Sequence, residues 1–419
     1  MKKVVSILFV LLIFLGISVF SQVEITMWFH SGRGEEREVI EDQVKRFNAM
    51  QNEVKVIAIQ LPEGSYNDQV NAAALAGDLP DVLDLDGPFV SNYAWAGYLR
   101  PLDEFMSSEL KQDFLPSIIA QGTYNGKIYA LGTFDSGLAL WGNKALLGKA
   151  NVRIPKNVED AWTFTEFMDV LRRLKELPEV TYPLDLKAND RGEWYTYGLS
   201  PFFQGFGADL IDRETYMSAE GILNGPEAVA AASWLQALFE QGFVNSNPPG
   251  YNVEFLNGEI PLEWAGHWEY PQGKGALGDD LVLIPAPKFF KHVSGMGSWA
   301  WAITTNSKNP EASWKFLEFL LKPEEIVKMS NANGAVPSRY SAIELSELYK
   351  VGGPLNIYVQ QLNTIALPRP VTPGYPTITL AFQDMIGNLI RGADVQEILD
   401  RAVRVIDQDI ESNQGYPIY

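Results

Sequence analysis

The sequence predicts an α/β protein, because apolar segments of strand length alternate with longer stretches of helical spacing from Val23 onward. Val23-Glu24-Ile25-Thr26-Met27-Trp28-Phe29 alternates apolar and polar residues before turning fully apolar, as a strand entering a core does. Gly32 and Gly34 follow, then Val39, Ile40, Val44, Phe47 and Met50 at helical spacing, then a β-branched segment from Val54 to Ile59. A strand-helix-strand unit of this kind gives a parallel pair joined by a right-handed crossover. Asp81 to Leu85 and Ile128 to Leu131 read as further short buried strands.

Later helices carry signals at their ends. Proline at the first helical position forfeits no internal hydrogen bond, and glycine tolerates the left-handed turn that stops a helix. Asn224-Gly225-Pro226 therefore opens a helix with Val229, Ala232, Leu235, Leu238 and Phe239 on one side, and Gly242 closes it. Asn309-Pro310 opens another, with Trp314, Phe316, Leu317 and Leu320, until Lys322-Pro323 interrupts. From Asp394, a stripe of Val395, Ile398, Leu399, Ala402, Ile406 and Ile410 marks the last. The 419 residues suit two domains, and no low-complexity linker separates them, so the chain is expected to cross between them several times.

Composition limits the function. With 33 basic against 52 acidic residues the net charge is −19, which repels nucleic acid and weakens attraction to anionic lipid. There is no cysteine, which removes disulfides, thiolate metal sites, thiol nucleophiles and a lipid-anchored N-terminal cysteine. The histidines are His30, His267 and His292, none at a metal-binding spacing, so no structural zinc site is expected; no metal-binding residue and no cofactor are assigned. Residues 1–21 combine Lys2 and Lys3, an apolar run from Val4 to Phe20, and Ser21 before Gln22. That is the pattern of a cleaved secretory signal, with a membrane anchor as the competing reading. The expected product is exported and soluble, in a periplasmic or extracellular setting.

Two motif tests fail. Gly273-Lys274-Gly275-Ala276-Leu277-Gly278 matches a dinucleotide fingerprint, but strand-like Leu281 to Ile284 follows where a helix should, so a surface hairpin loop is expected. No P-loop and no G-x-S-x-G elbow is present. Among carboxylates, Asp84, Asp86, Asp135, Glu263 and Glu269 could supply the pair a glycosidase needs, about 5–9 Å apart; their alternative use is to hydrogen-bond ligand hydroxyls.

Trp264, Trp268, Trp299 and Trp301 are four of eleven tryptophans and fall within 38 residues. Trp299 and Trp301 share one side if the segment is a strand. A flat indole covers the C–H face of a sugar while Asp, Asn, Arg or His bonds its hydroxyl rim. The alternative is that these indoles fill a large core.

The order of motifs resembles the sugar-binding proteins of ABC importers, the maltose-binding-protein-like family. The residues that carry it are Thr26-Met27-Trp28-Phe29-His30-Ser31, Leu75-Ala76-Gly77-Asp78-Leu79-Pro80-Asp81-Val82, Ala96-Gly97-Tyr98-Leu99-Arg100-Pro101-Leu102 and Tyr124-Asn125-Gly126-Lys127-Ile128-Tyr129-Ala130. Phe255-Leu256-Asn257-Gly258-Glu259 leading to Gly266-His267-Trp268, Ser298-Trp299-Ala300-Trp301-Ala302-Ile303 with Ser307-Lys308-Asn309, and Gly334-Ala335-Val336-Pro337-Ser338-Arg339 continue it. The resemblance implies a two-lobe periplasmic-binding-protein fold of type II character, with three hinge crossings near residues 135–138, 296–300 and 334–338. The N-terminal lobe would take residues 22–134 plus 300–334, and the C-terminal lobe 139–296 plus 338–419.

The implied function is a monomeric receptor, not an enzyme, that captures a sugar, expected to be an oligosaccharide, and passes it to the membrane permease subunits of an ABC importer. Alternatives are a secreted carbohydrate-active enzyme and a receptor for a non-sugar solute. By the same resemblance, Trp268 corresponds to the family's stacking tryptophan, and Trp299 to the aromatic of its Gly-Gly-Trp segment, here Gly297-Ser298-Trp299. His30, Ser31 and Arg33 would line the cleft after the first strand, Asp86 would contact ligand, and Asp135 would sit at the first crossing. Trp264 and Trp301 would be extra aromatics, and Arg369 and Tyr375 would reach in from the second lobe.

Overall fold

A computed structural model describes residues 22–32, 35–62 and 65–417. The expected signal segment and Arg33 lie outside the described residues. Two separate sheets organise the chain. The first is five-stranded, in the order Val54–Leu61, Val23–His30, Val82–Asp86, Trp299–Ile303, Ala130–Leu131. Val23–His30 runs parallel to both its neighbours, joined to Val54–Leu61 through the helix Glu36–Met50, as the hydrophobic spacing predicts. That helix buries Ile40, Val44 and Phe47 and leaves Met50 exposed. Trp299–Ile303 enters antiparallel, from far along the chain.

The second sheet is four-stranded, in the order Leu281–Ile284, Leu138–Asn143, Leu262–Gly266, Leu184–Asp185. Its central strands are buried along their whole length, so they read as apolar runs rather than alternating ones. Helices Trp194–Phe206, Pro226–Glu240, Tyr375–Ile390 and Val395–Ser412 pack together on this side. The predicted starts hold: Pro226 and Pro310 sit in the first helical turn, and the Asp394 side chain accepts from the Glu397 N–H as an N-cap.

The chain leaves the first sheet after Leu131, joins the second at Leu138 and returns at Trp299. Between the sheets, Phe134–Asp135 pairs with Val336–Pro337, and Gly137 bridges to Met296. The three connecting segments therefore lie side by side.

Two expectations are corrected. Ile128 to Leu131 is not one strand: Lys127–Ile128 pairs with Thr123–Tyr124, while Ala130–Leu131 joins the first sheet. The glycine-rich segment is not a hairpin loop, because Gly273 to Leu277 complete the helix Tyr270–Leu277. Its Pro271 start outweighs the low helix propensity of its glycines, and a Cβ on Gly273 would meet Leu281 at 3.1 Å. Among the described residues no helix is long and apolar enough to cross a membrane.

Candidate functional site

The parallel strands of the first sheet end at His30 and Asp86, and Trp299 begins the strand that pairs with the second of these, directly opposite Asp86. The open edge of an α/β sheet at its strand C-termini is where ligands bind. Here a cleft of about 530 Å³ opens between the two sheets, within the size range of small-molecule sites. One wall carries His30, Asp86, Ser298 and Trp299, and the other Glu193, Trp194, Tyr197, Tyr251, Trp268 and Arg369.

Trp299 is fixed from behind. Its ring stacks on His30 at 3.7 Å and 10°, and Tyr66 meets it edge-on at 5.3 Å. His30 Nδ1 lies 2.5 Å from an Asp84 carboxylate oxygen. Burial pushes the Asp84 carboxyl up, against the opposing pull of His30. On the other wall Trp268 donates from Nε1 to the Tyr251 hydroxyl at 2.9 Å and stands edge-on to Trp194 at 6.1 Å. The buried Lys187 ammonium lies over the Tyr251 ring at 4.4 Å, and itself sits among Asp185, Glu263 and Glu269. Burial pushes the Glu263 carboxyl well up despite Lys187.

Arg369 reaches across the cleft. Its two terminal nitrogens bond the two Asp86 oxygens at 2.8 and 3.0 Å, one of them also bonds Glu193 at 2.8 Å, and its guanidinium lies 4.9 Å from the Tyr197 ring centroid. Tyr375 and Thr379 donate to the same Glu193 carboxylate from behind. Asp86, Arg369, Trp268, Trp299 and His30 are thus brought together as the resemblance implies.

Other candidates are placed elsewhere. Trp264 is 1% exposed in the middle of a central strand, donating to the Gly198 carbonyl and packed on Phe202, so it belongs to the core. Trp301 shares a strand with Trp299 but lies two residues further from its cleft end, 6% exposed among core residues. Tyr375 is fully buried and meets the cleft through Glu193. Asp135 is also fully buried, accepting from the Ser136 N–H at 2.7 Å, and does not line the cleft. Ser31 is half-buried and is not among the lining residues. Of the carboxylates considered for catalysis, Asp84 and Glu263 are buried against His30 and Lys187.

The sequence reading missed Glu193, Trp194, Tyr197 and Tyr251. Trp194 and Tyr197, three apart on the helix Trp194–Phe206, carried a usable signal: two aromatics on one helical face.

Between the sheets, His267 Nε2 lies 2.8 Å from the Ser136 hydroxyl, and its Nδ1 lies 3.1 Å from the Asn333 carbonyl. Burial pushes this imidazole down to about 4 and pushes the Asp135 carboxyl up to about 6. The two act in opposite senses. The folded state keeps a proton on Asp135 that the unfolded chain releases, so this group's contribution to stability falls as pH rises from about 3.8 to about 6. The folded state refuses a proton at His267 that the unfolded chain takes up, so that contribution falls as pH drops from about 6.5 to about 4. Asp135→Asn is expected to exceed wild type in stability at pH 7, with the advantage shrinking by about 2 kcal/mol at pH 4. Urea midpoints at the two pH values check this, and a constant difference would refute it.

A family profile described as "Bacterial extracellular solute-binding protein" matches residues 33–326. The chain belongs to this family. As a solute-binding protein it is a receptor rather than an enzyme, as the sequence led us to expect. The solute-binding protein is 25% identical over 327 residues to the maltotriose-binding protein of Pyrococcus abyssi, a match covering 75% of this chain and 66% of that one. Among solved structures, the GacH receptor of Streptomyces glaucescens, studied with acarbose, matches at 21% identity and TM-score 0.79, covering 93% of this chain and 99% of that one. An ABC transporter solute-binding protein of Thermotoga lettingae, bound with α-D-tagatose, matches at 23% identity and TM-score 0.79, covering 93% and 100%. These likenesses show the α/β periplasmic-binding-protein fold.

Proposed function

We propose that this solute-binding protein captures a saccharide in the cleft between its sheets and delivers it unchanged to the permease of an ABC importer. The observation that carries this reading is the pair of indoles, Trp268 and Trp299, on opposite walls of a cleft that Asp86, Glu193, Arg369 and Ser298 also line. Apolar faces and a polar rim suit a sugar's C–H face and hydroxyls. Relatives whose names or bound ligands are maltotriose and tagatose support the class.

On this reading the molecule is a two-lobe clamp, residues 22–134 plus 300–334 against 139–296 plus 338–419, hinged where the three connecting segments lie side by side. A ligand held by both walls favours the closed form by its differential affinity for it. Export with removal of residues 1–21 and action as a monomer complete the proposal.

A panel of monosaccharides and oligosaccharides tests the ligand class by thermal shift. A sugar present at 100 times its Kd should stabilise the fold by about 2.7 kcal/mol, and chromatography should recover it intact. A panel without any shift would contradict the reading, and cleavage of the sugar would favour an enzyme.

A further inference from the structure

One flank of the molecule carries a row of contacts between its two halves. It starts in the cleft, where Asp86 pairs with both terminal nitrogens of Arg369 at 2.8 and 3.0 Å. It continues through Phe89, edge-on to Tyr375 with centroids 5.4 Å apart. Next, Asn92 Nδ2 donates to the Pro373 carbonyl at 2.8 Å. It ends at Trp95, whose Nε1 donates to the Pro417 carbonyl at 2.9 Å and whose ring meets Tyr416 at 5.1 Å. Residues 86, 89, 92 and 95 are three apart, and the turn Gly87–Phe89 runs into the helix Val90–Trp95. One face of this segment is thereby presented to the opposite half.

We propose that this seam makes the cleft blind at its Asp86–Arg369 end, so that the site takes the terminus of a saccharide chain and not an internal stretch. The proposal rests on the saccharide reading above. A chain running through would have to part a bidentate, charge-assisted pair and leave Arg369, which is 6% exposed, with Glu193 as its remaining carboxylate partner. It would also have to separate the four further contacts that Phe89, Asn92 and Trp95 make behind that pair.

The probe is maltotriose, used untagged, tagged at its reducing end with 2-aminobenzamide, and blocked at its non-reducing end as a 4,6-benzylidene acetal. Titration is expected to show one modified form weakened by about 100-fold or more while the other binds within about threefold of the parent. Phe89→Ala combined with Trp95→Ala should recover at least about tenfold for the weakened form. Both modified forms binding like the parent would overturn the blind end while leaving the saccharide reading intact. Untagged maltotriose failing to bind would speak against maltotriose as ligand, and a second arm then decides the seam without any sugar. Because the chain has no cysteine, Asn92→Cys with Pro373→Cys creates a single reporter pair. A short bismaleimide is expected to join the two thiols; thiols that are each labelled but never joined would overturn the seam.

Discussion

Lys187→Met is expected to lower the melting temperature by roughly 4–6 °C at pH 8, from a loss of about 3–5 kcal/mol. Lys187 is 0% exposed, 3.3 Å from Asp185 and 3.9 Å from Glu269, and bonded to Glu263. Removing one partner of a buried ionic cluster costs about 3–5 kcal/mol, because the remaining charges lose their compensation in a medium that solvates them poorly. Here three carboxyls would be left around an apolar side chain. Without the ammonium, nothing opposes the burial that already pushes the Glu263 carboxyl well up, so this group takes up a proton more readily. An acid with a raised folded-state pKa loses stability as pH rises. The deficit relative to wild type should therefore be smaller at pH 5 than at pH 8. Differential scanning calorimetry at both pH values measures it, and a deficit under about 2 °C at pH 8 would contradict the role assigned to Lys187.

The second large effect falls on ligand affinity. Trp268→Ala and Trp299→Ala should each weaken binding of the sugar selected by thermal shift, by about 1–3 kcal/mol if indole stacking on a sugar resembles stacking on a base. That corresponds to roughly 5- to 150-fold in Kd. The indoles stand on separate elements, Trp268 after the strand Leu262–Gly266 and Trp299 at the start of another, so their losses should be nearly additive. Far-UV circular dichroism of the free proteins should stay unchanged. Wild-type affinity in both variants would remove the site assignment.

Why some of these residues were legible in the sequence and others were not follows from what periodicity encodes. Spacing gave the helix starts at Pro226 and Pro310, the N-cap Asp394 and the first strand-helix-strand unit, because each depends on neighbours within one turn. A period of two says that Trp299 and Trp301 share a side, but not how far each lies from the end of the strand. That distance separates a cleft residue from a core residue. Trp264 failed for the same reason, in the middle of a strand covered on both faces.

Charges were harder still. Asp86 and Arg369 are 283 positions apart, and Glu193 joins them from a third segment. No local pattern announces such a meeting, and only the order of motifs along the whole chain pointed to Asp86 and Arg369. Tyr375 was placed near the site for that reason, yet it faces Glu193 from behind the cleft wall. Glu193 itself offered no signal, since an exposed-looking acid before an aromatic helix has many ordinary uses.

The central claim is that a saccharide is held between two lobes that close on it. Small-angle X-ray scattering of the purified protein, with and without the sugar that raises its melting temperature, tests this most directly. The account predicts a smaller radius of gyration with the sugar bound, and a Trp268→Ala/Trp299→Ala double variant whose radius does not respond at the same sugar concentration. A wild-type radius that stays the same when the sugar is bound would contradict it.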